Sequence, residues 1–193
     1  MIKQFTSADY RQMLWKNSAG YTVELARSAG ENLDTFDWRI SMADVKTSSD
    51  FSKFNGMQRI LTVLEGAGIV LNIDDDSEHL KTLESAQFSG DSTTSCRLID
   101  GPIRDFNLIY NPEKWRSRYQ WIFESASTEI FSSADLIFIF NQSPEPLEIE
   151  VDRQVFRLAH HESLKIEQQK ALKKLVLKSE RFKQACLIEL TKI

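Results

Sequence analysis

Polar and apolar residues alternate with a period of two along much of the chain, the spacing that sends successive side chains to opposite faces of a β-strand. In residues 36–45, FDWRISMADV, one face takes Phe36, Trp38, Ile40 and Met42 and the other takes Asp37, Arg39, Ser41 and Ala43. Residues 21–26 alternate Tyr21-Val23-Leu25 with Thr22-Glu24-Ala26. Residues 104–110 set Phe106 and Leu108 against Asp105, Asn107 and Ile109. Between these segments lies FSKFNGMQRILTVLEG, residues 51–66, which opens on two phenylalanines and passes through Asn55-Gly56. Asn-Gly readily supplies the positive φ of a tight turn. Two continuous apolar runs follow, Ile60–Leu64 and Ile69–Ile73, separated by Glu65-Gly66-Ala67-Gly68. The pattern predicts a strand, a glycine-rich turn and a second strand. Arg59 stands at the mouth of the first run, so its charge needs either a partner or an incoming anion.

The second half repeats this layout at a spacing of roughly 76 residues, too long for a solenoid and compatible with a duplicated domain. Leu136–Phe140, Leu147–Val151 and Val155–Leu158 stand where Ile60–Leu64, Ile69–Ile73 and Leu80–Leu83 stand in the first half, with Asp152-Arg153 in place of the acidic turn DDDSEH, residues 74–79. Residues 115–123 read as an exposed connection or a strand pair. Many short strands joined by turns predict an all-β jelly-roll architecture. Residues 162–182 are ambiguous. They are rich in helix formers, and Leu164, Gln168, Leu172 and Leu175 could form a helical stripe, yet Leu164-Ile166, Leu175-Leu177 and Cys186-Ile188-Leu190 alternate as strands do.

Composition narrows the function classes. The 193-residue chain is 41% apolar with twelve Phe and four Trp, enough to build a core. A net charge of −4 argues against bulk attraction to nucleic acid. The charge is uneven, with ten Lys+Arg against five Asp+Glu over residues 151–193. Solvated faces of edge strands account for that excess, since lysine protects exposed edges. Cys96 and Cys186 are distant and lack metal-ligand spacing, which fits reduced buried thiols in a cytoplasmic protein. No apolar run approaches the ~18 residues of a membrane span, and the polar start MIKQFTSADYRQML is no signal peptide.

Candidate chemistry is sparse. The histidines are His79, in the acidic turn, and the adjacent His160 and His161, which on a strand would point to opposite faces. That set does not make a converging metal site, so the expectation is no metal and no cofactor. No nucleophile elbow and no phosphate-binding glycine loop is present. What remains is a polar cluster on the alternating strands: Asn17, Thr22, Arg39, Ser41, Arg59, Asp105 and Asn107, with Trp15 and Phe54 as apolar walls. Arginine forks suit carboxylates, and Asn, Ser and Thr can complete an anion's hydrogen bonds. The competing reading pairs Arg39 or Arg59 with Asp105 or Glu24 in a structural ion-pair network.

Several spaced motifs converge. Trp15, Asn17, Gly20, Thr22 and Glu24 form W-x-N-x-x-G-x-T-x-E, and Trp38, Arg39, Ser41 and Ala43 form W-R-x-S-x-A. Phe51, Phe54, Gly56 and Arg59, followed by Leu64-Glu65-Gly66, form F-x-x-F-x-G-x-x-R and L-E-G, and Asp105 and Asn107 form D-x-N. In this order the set resembles the HutD/Ves family of cupin-like proteins. The resemblance implies an all-β bicupin of RmlC-like jelly-roll type, spanning residues 1–193 as one compact chain. Its two barrel-like halves would centre on residues 36–110 and 134–190. It also favours strands over a helix for residues 162–182. It implies a bacterial cytoplasmic protein linked to histidine utilisation or a stress response, binding an acidic metabolite such as formylglutamate. A non-enzymatic carboxylate-binding protein is therefore expected, without nucleic-acid or membrane partners and with a homodimer left open. The alternative is a metal-free isomerase or hydrolase with Glu24 or Asp105 as general base.

Overall fold

A computed structural model of the protein describes residues 1–14, 20–29, 35–124, 127–167, 171–181 and 183–193. Among them lie nineteen strands and one 3-10 turn, Ser7–Asp9. In chain order the strands of the N-terminal part are β1 (Ile2–Phe5), β2 (Arg11–Leu14), β3 (Gly20–Arg27), β4 (Trp38–Val45), β5 (Ser49–Asp50), β6 (Gln58–Glu65), β7 (Ile69–Ile73), β8 (Asp76–Leu80), β9 (Ser85–Ser89), β10 (Thr94–Leu98) and β11 (Ile103–Tyr110). There follow β12 (Trp115–Glu124), β13 (Thr128–Ser132), β14 (Leu136–Asn141), β15 (Leu147–Val151), β16 (Gln154–Leu158), β17 (Ser163–Glu167), β18 (Lys173–Lys178) and β19 (Lys183–Lys192).

The chain forms two compact units, Tyr10–Lys114 and a second made of Met1–Asp9 with Trp115–Ile193. The first unit pairs a six-stranded sheet, β2-β3-β4-β11-β6-β9, with a four-stranded one, β5-β10-β7-β8. Between them packs an apolar core that includes Val45, Leu61, Val63, Ile69, Leu71, Phe88, Cys96 and Ile103. The second unit pairs β1-β17-β14-β19-β12 with β13-β18-β15-β16 over its own core, which includes Ile137, Ile139, Ile149, Leu164, Leu175 and Leu187. Burying each such aliphatic side chain contributes about 1.5–3 kcal/mol, which is why continuous apolar runs end up as central strands.

The duplication read from the sequence is a duplication of pairing. Strands β11-β6-β9 and β10-β7-β8 of the first unit are matched by β19-β14-β17 and β18-β15-β16 of the second. Both β7-β8 and β15-β16 are hairpins with two-residue turns, Asp74-Asp75 and Asp152-Arg153. Asp74, Asp152 and Arg153 take φ of 51°, 51° and 63°, the left-handed region that such turns use.

Two local readings change, and a third is borne out. The acidic segment is a turn only at Asp74-Asp75, because Asp76–His79 pair with β7 as part of β8. That strand is an edge, where polar residues on both faces stay solvated, so alternation did not mark it. Residues 115–124 form one ten-residue strand, paired along its length with β19. The favoured strand reading of residues 162–182 holds among the described residues as β17 and β18, with β19 beginning at Lys183, and Leu172 is 71% exposed while Leu175 and Leu177 are fully buried, which breaks the helical stripe. The basic C-terminal region lies on strand faces, with Lys174–Glu129 at 2.6 Å, Lys178–Glu150 at 3.2 Å and Lys173 bonded to Asp152. No helix among the described residues is long and apolar enough to cross a membrane.

Candidate functional site

Register across the six-stranded sheet assembles the site. Residues directly opposite on antiparallel strands share a face. One row reads Arg27–Arg39–Ile109–Arg59–Phe88 across β3, β4, β11, β6 and β9. The next row is Glu24–Ser41–Asn107–Leu61–Ala86, and the third is Thr22–Ala43–Asp105–Val63. Leu61, Val63, Ala86 and Phe88 belong to the apolar core, so these rows face the interior between the two sheets. Into that interior the sheet puts three guanidiniums and two carboxylates. Ser41, Arg59, Asp105 and Asn107 are buried, with Arg59 at 4% exposure and Asp105 at 0%.

Arg59 is held from several sides. Its Nη2 donates to Asn107 Oδ1 at 3.0 Å and its Nη1 to the Ser52 carbonyl at 3.3 Å. The guanidinium carbon lies 5.1, 5.5 and 5.1 Å from the ring centroids of Phe51, Phe54 and Phe88, within cation–π range. Asn107 Nδ2 in turn donates to Asp105 Oδ1 at 2.7 Å. Asn107 therefore stands between the two charges, and no direct Arg59–Asp105 ion pair forms among the described residues. Burial pushes the Arg59 pKa down to about 10, opposed by the Asp105 charge and reinforced by Arg39. Burial likewise pushes Asp105 up to about 7, opposed by Arg59 and by hydrogen bonds from the Ala43 N–H and Asn107.

The Phe51–Met57 loop supplies the aromatic wall. Phe54 packs against both Arg39 and Arg59, and Arg39 also lies 5.3 Å from the Phe36 ring. The loop turns at Gly56, whose φ of 72° suits glycine, and Gly56 N–H donates to Asp91. It is tied down by Phe54 N–H to Gly90 O at 2.9 Å and Gly90 N–H to Met57 O at 2.8 Å. A Cβ at Gly90 would fall 2.2 Å from Phe54 O, so the close approach requires glycine.

Among the described residues, several buried polar atoms of this face make no hydrogen bond. Arg27 and Arg39 are directly opposite each other, a like-charge pairing that destabilises a bare sheet. Arg27 reaches Glu24 at 3.8 Å, at the edge of ion-pair range. Among the described residues, Glu24 Oε2, Arg27 Nη1, Arg59 Nε and Asp105 Oδ2 are buried and make no hydrogen bond. Orphaned buried polar atoms cost about 1–3 kcal/mol each and mark places where an additional group belongs. The orphans include two donors from guanidiniums and two carboxylate acceptors.

Of the residues expected from the sequence, Arg39, Ser41, Phe54, Arg59, Asp105 and Asn107 come together here, with Thr22 in the third row. Trp15 and Asn17 lie outside the described residues. Arg27 was missed because β3 has a register shift between Glu24 and Ala26, which brings Arg27 onto the face of Glu24. Phe36 precedes β4, and its ring turns toward Arg39 rather than following Trp38. Phe88 was missed because only cross-strand pairing places it beside Arg59. His160 and His161 are not on a strand. They form a turn with His161 at φ 63°, and their rings stack at 3.7 Å instead of diverging. His160 Nδ1 lies 3.1 Å from Ser143 O and His161 Nε2 lies 3.0 Å from Gln142 Oε1. Cys96 and Cys186 are both buried and free.

Paired sheets in each of two topologically matched units define an all-β, cupin-like bicupin with an arginine-rich interior face. The chain belongs to the HutD family, whose model matches residues 7–184. An uncharacterised 21.2 kDa protein in the hutC 3′ region of Pseudomonas putida is 43% identical over 190 residues, covering 98% of this chain and 97% of that one. HutD from Pseudomonas fluorescens, solved in a formate condition, superposes with a TM-score of 0.87 at 40% identity over the full length of both chains. The fold extends further, to YhhW of Escherichia coli at 9% identity with a TM-score of 0.71 over 100% of this chain and 99% of that one.

Proposed function

We propose that the protein binds a small carboxylate metabolite between the sheets of the Tyr10–Lys114 unit. The observation that carries this reading is buried Arg59, held by Asn107 and three phenylalanine rings with its Nε making no hydrogen bond among the described residues, in one row with the half-buried Arg27 and Arg39. A guanidinium buried as Arg59 is, at 4% exposure, gives strong charge-assisted contacts. Phe51, Phe54 and Phe88 immobilise Arg59, and such preorganisation raises affinity by lowering the ordering cost. Orphaned carboxylate oxygens on Glu24 and Asp105 suit a ligand that also carries N–H or O–H donors. An N-acylated acidic amino acid such as formylglutamate has both features. The names of the relatives suggest histidine utilisation, and a cytoplasmic role in moderating that pathway is part of this proposal.

A thermal-shift and calorimetric screen with formate, glutarate and N-formylglutamate tests this. A ligand present at 100 times its Kd adds about 2.7 kcal/mol of stability. No shift with any small mono- or dicarboxylate would end the reading.

One observation favours an enzyme instead. The Asp105 pKa near 7 matches a general base working at neutral pH. Consumption of a bound metabolite, followed by NMR, separates a catalyst from a binding protein.

A further inference from the structure

Strand β3 departs from regular pairing where it borders the buried face. Its register shifts between Glu24 and Ala26, and the shift turns Arg27 onto the face that Glu24 already occupies. Bulges of this kind disrupt the ladder and recur beside active sites, where they re-aim a side chain. The re-aimed guanidinium gains little from its neighbour. Arg27 Nε lies 3.8 Å from Glu24 Oε1, too long for a hydrogen bond, although the two side chains are only 20% and 10% exposed. Glu24 Oε2 and Arg27 Nη1 are both buried and make no hydrogen bond, even with Arg11 of β2 directly opposite Glu24. One carboxylate acceptor and one guanidinium donor are thus left open on adjacent side chains. Further along the same row, Arg59 Nε is a second open donor.

We propose that Glu24 and Arg27 recognise the α-amino-acid head of the ligand, with Glu24 Oε2 accepting from its ammonium group and Arg27 Nη1 donating to its α-carboxylate, while its side-chain carboxylate lies at Arg59 Nε. The inference rests on the carboxylate-binding reading above and narrows its ligand class to acidic α-amino acids with a free amino group. An ammonium and a carboxylate on one carbon match an acceptor and a donor on neighbouring side chains. A plain dicarboxylate leaves Glu24 Oε2 unpaired, and a site built to bond a substrate N–H discriminates strongly against the analogue without it. Acylation leaves a single neutral N–H for Glu24, and a hydrogen bond from a charged donor is about twice as strong. Length matters as well. Arg27 and Arg59 stand three strand spacings apart, about 14 Å between their backbones, and both side chains face the space between the sheets. Engaging both takes an extended ligand with a carboxylate at each end, which alanine is not.

The test is isothermal titration of the full chain at pH 7 with L-glutamate, N-formyl-L-glutamate, glutarate and L-alanine. Glutamate should bind about tenfold or more tighter than each of the other three. Glu24→Gln keeps the shape of the side chain and removes its charge. It should weaken glutamate by about tenfold and leave glutarate affinity unchanged or improved, so that the preference between them collapses. The wild-type ligand series needs no variant to fold. A preference for glutamate over glutarate or N-formylglutamate of less than about tenfold would overturn the inference and leave the carboxylate-binding reading intact. So would a Glu24→Gln protein that keeps the full preference. Failure of every carboxylate to bind would overturn the binding reading, and this inference with it.

Discussion

Replacing Arg59 separates a binding residue from a structural one. In a structural ion pair, deleting one buried partner costs about 3–5 kcal/mol because a charge is stranded. The geometry here gives a different sum. The lowering of the Arg59 pKa by burial, to about 10, corresponds to roughly 3 kcal/mol against its charged form. Opposing that are the hydrogen bond to Asn107, about 1.5–3 kcal/mol for a charged donor, and ring contacts of about 2 kcal/mol. The favourable and unfavourable contributions nearly cancel. Asp105 is not stranded, because Asn107 already separates it from Arg59 and it can take up a proton near neutral pH. Arg59→Ala should therefore lose only about 0–2 kcal/mol in urea denaturation at pH 7 while losing measurable carboxylate binding. Arg59→Lys keeps the charge but not the planar fork, and should weaken binding by roughly 1–3 kcal/mol in calorimetry. Loss of more than about 4 kcal/mol of stability in the alanine variant, with undiminished affinity in the lysine variant, would refute the reasoning.

Other consequences follow from the same geometry. Asp105 has its folded pKa raised from 3.8 to about 7, so the folded state holds the proton more tightly than the unfolded chain. Its contribution is greatest below pH 4 and declines through pH 7 by roughly 4 kcal/mol. Asp105→Asn should remove that decline when urea midpoints at pH 5 and pH 8 are compared with wild type, and equal declines in both proteins would contradict the burial argument. Phe54→Leu takes an aromatic face from both Arg39 and Arg59 and should weaken carboxylate binding by about 1–2 kcal/mol in calorimetry, with the melting temperature little changed. Gly90→Ala drives a Cβ against Phe54 O and should displace the 51–57 loop, lowering both the melting temperature and the affinity. A variant with wild-type affinity would show that the loop does not form the wall.

The sequence alone determined most of the strand segments and, along the regular ones, which side chains share a face. Alternation in residues 36–45 and 104–110 put Arg39, Ser41, Asp105 and Asn107 together on faces opposite Ile40 and Phe106, and the structure keeps them so. That much is local, because side-chain direction along an extended chain depends only on parity. The duplicated strand layout was legible for the same reason, since each apolar run is its own signal. Parity fails where the backbone departs from it. The irregularity at Leu25 re-aimed Arg27 toward Glu24, and the turn at residues 160–161 stacked two histidines that a strand would separate. Only tertiary structure decided which strands are neighbours. The row Arg27–Arg39–Ile109–Arg59–Phe88 draws on five strands spread along the sequence from position 27 to position 109. So does the choice between an Arg59–Asp105 ion pair and a relay through Asn107, which turns on the 3.0 and 2.7 Å contacts that one register permits. Pairing register and desolvation depend on residues far apart in the chain, and they set the electrostatics of Arg59 and Asp105.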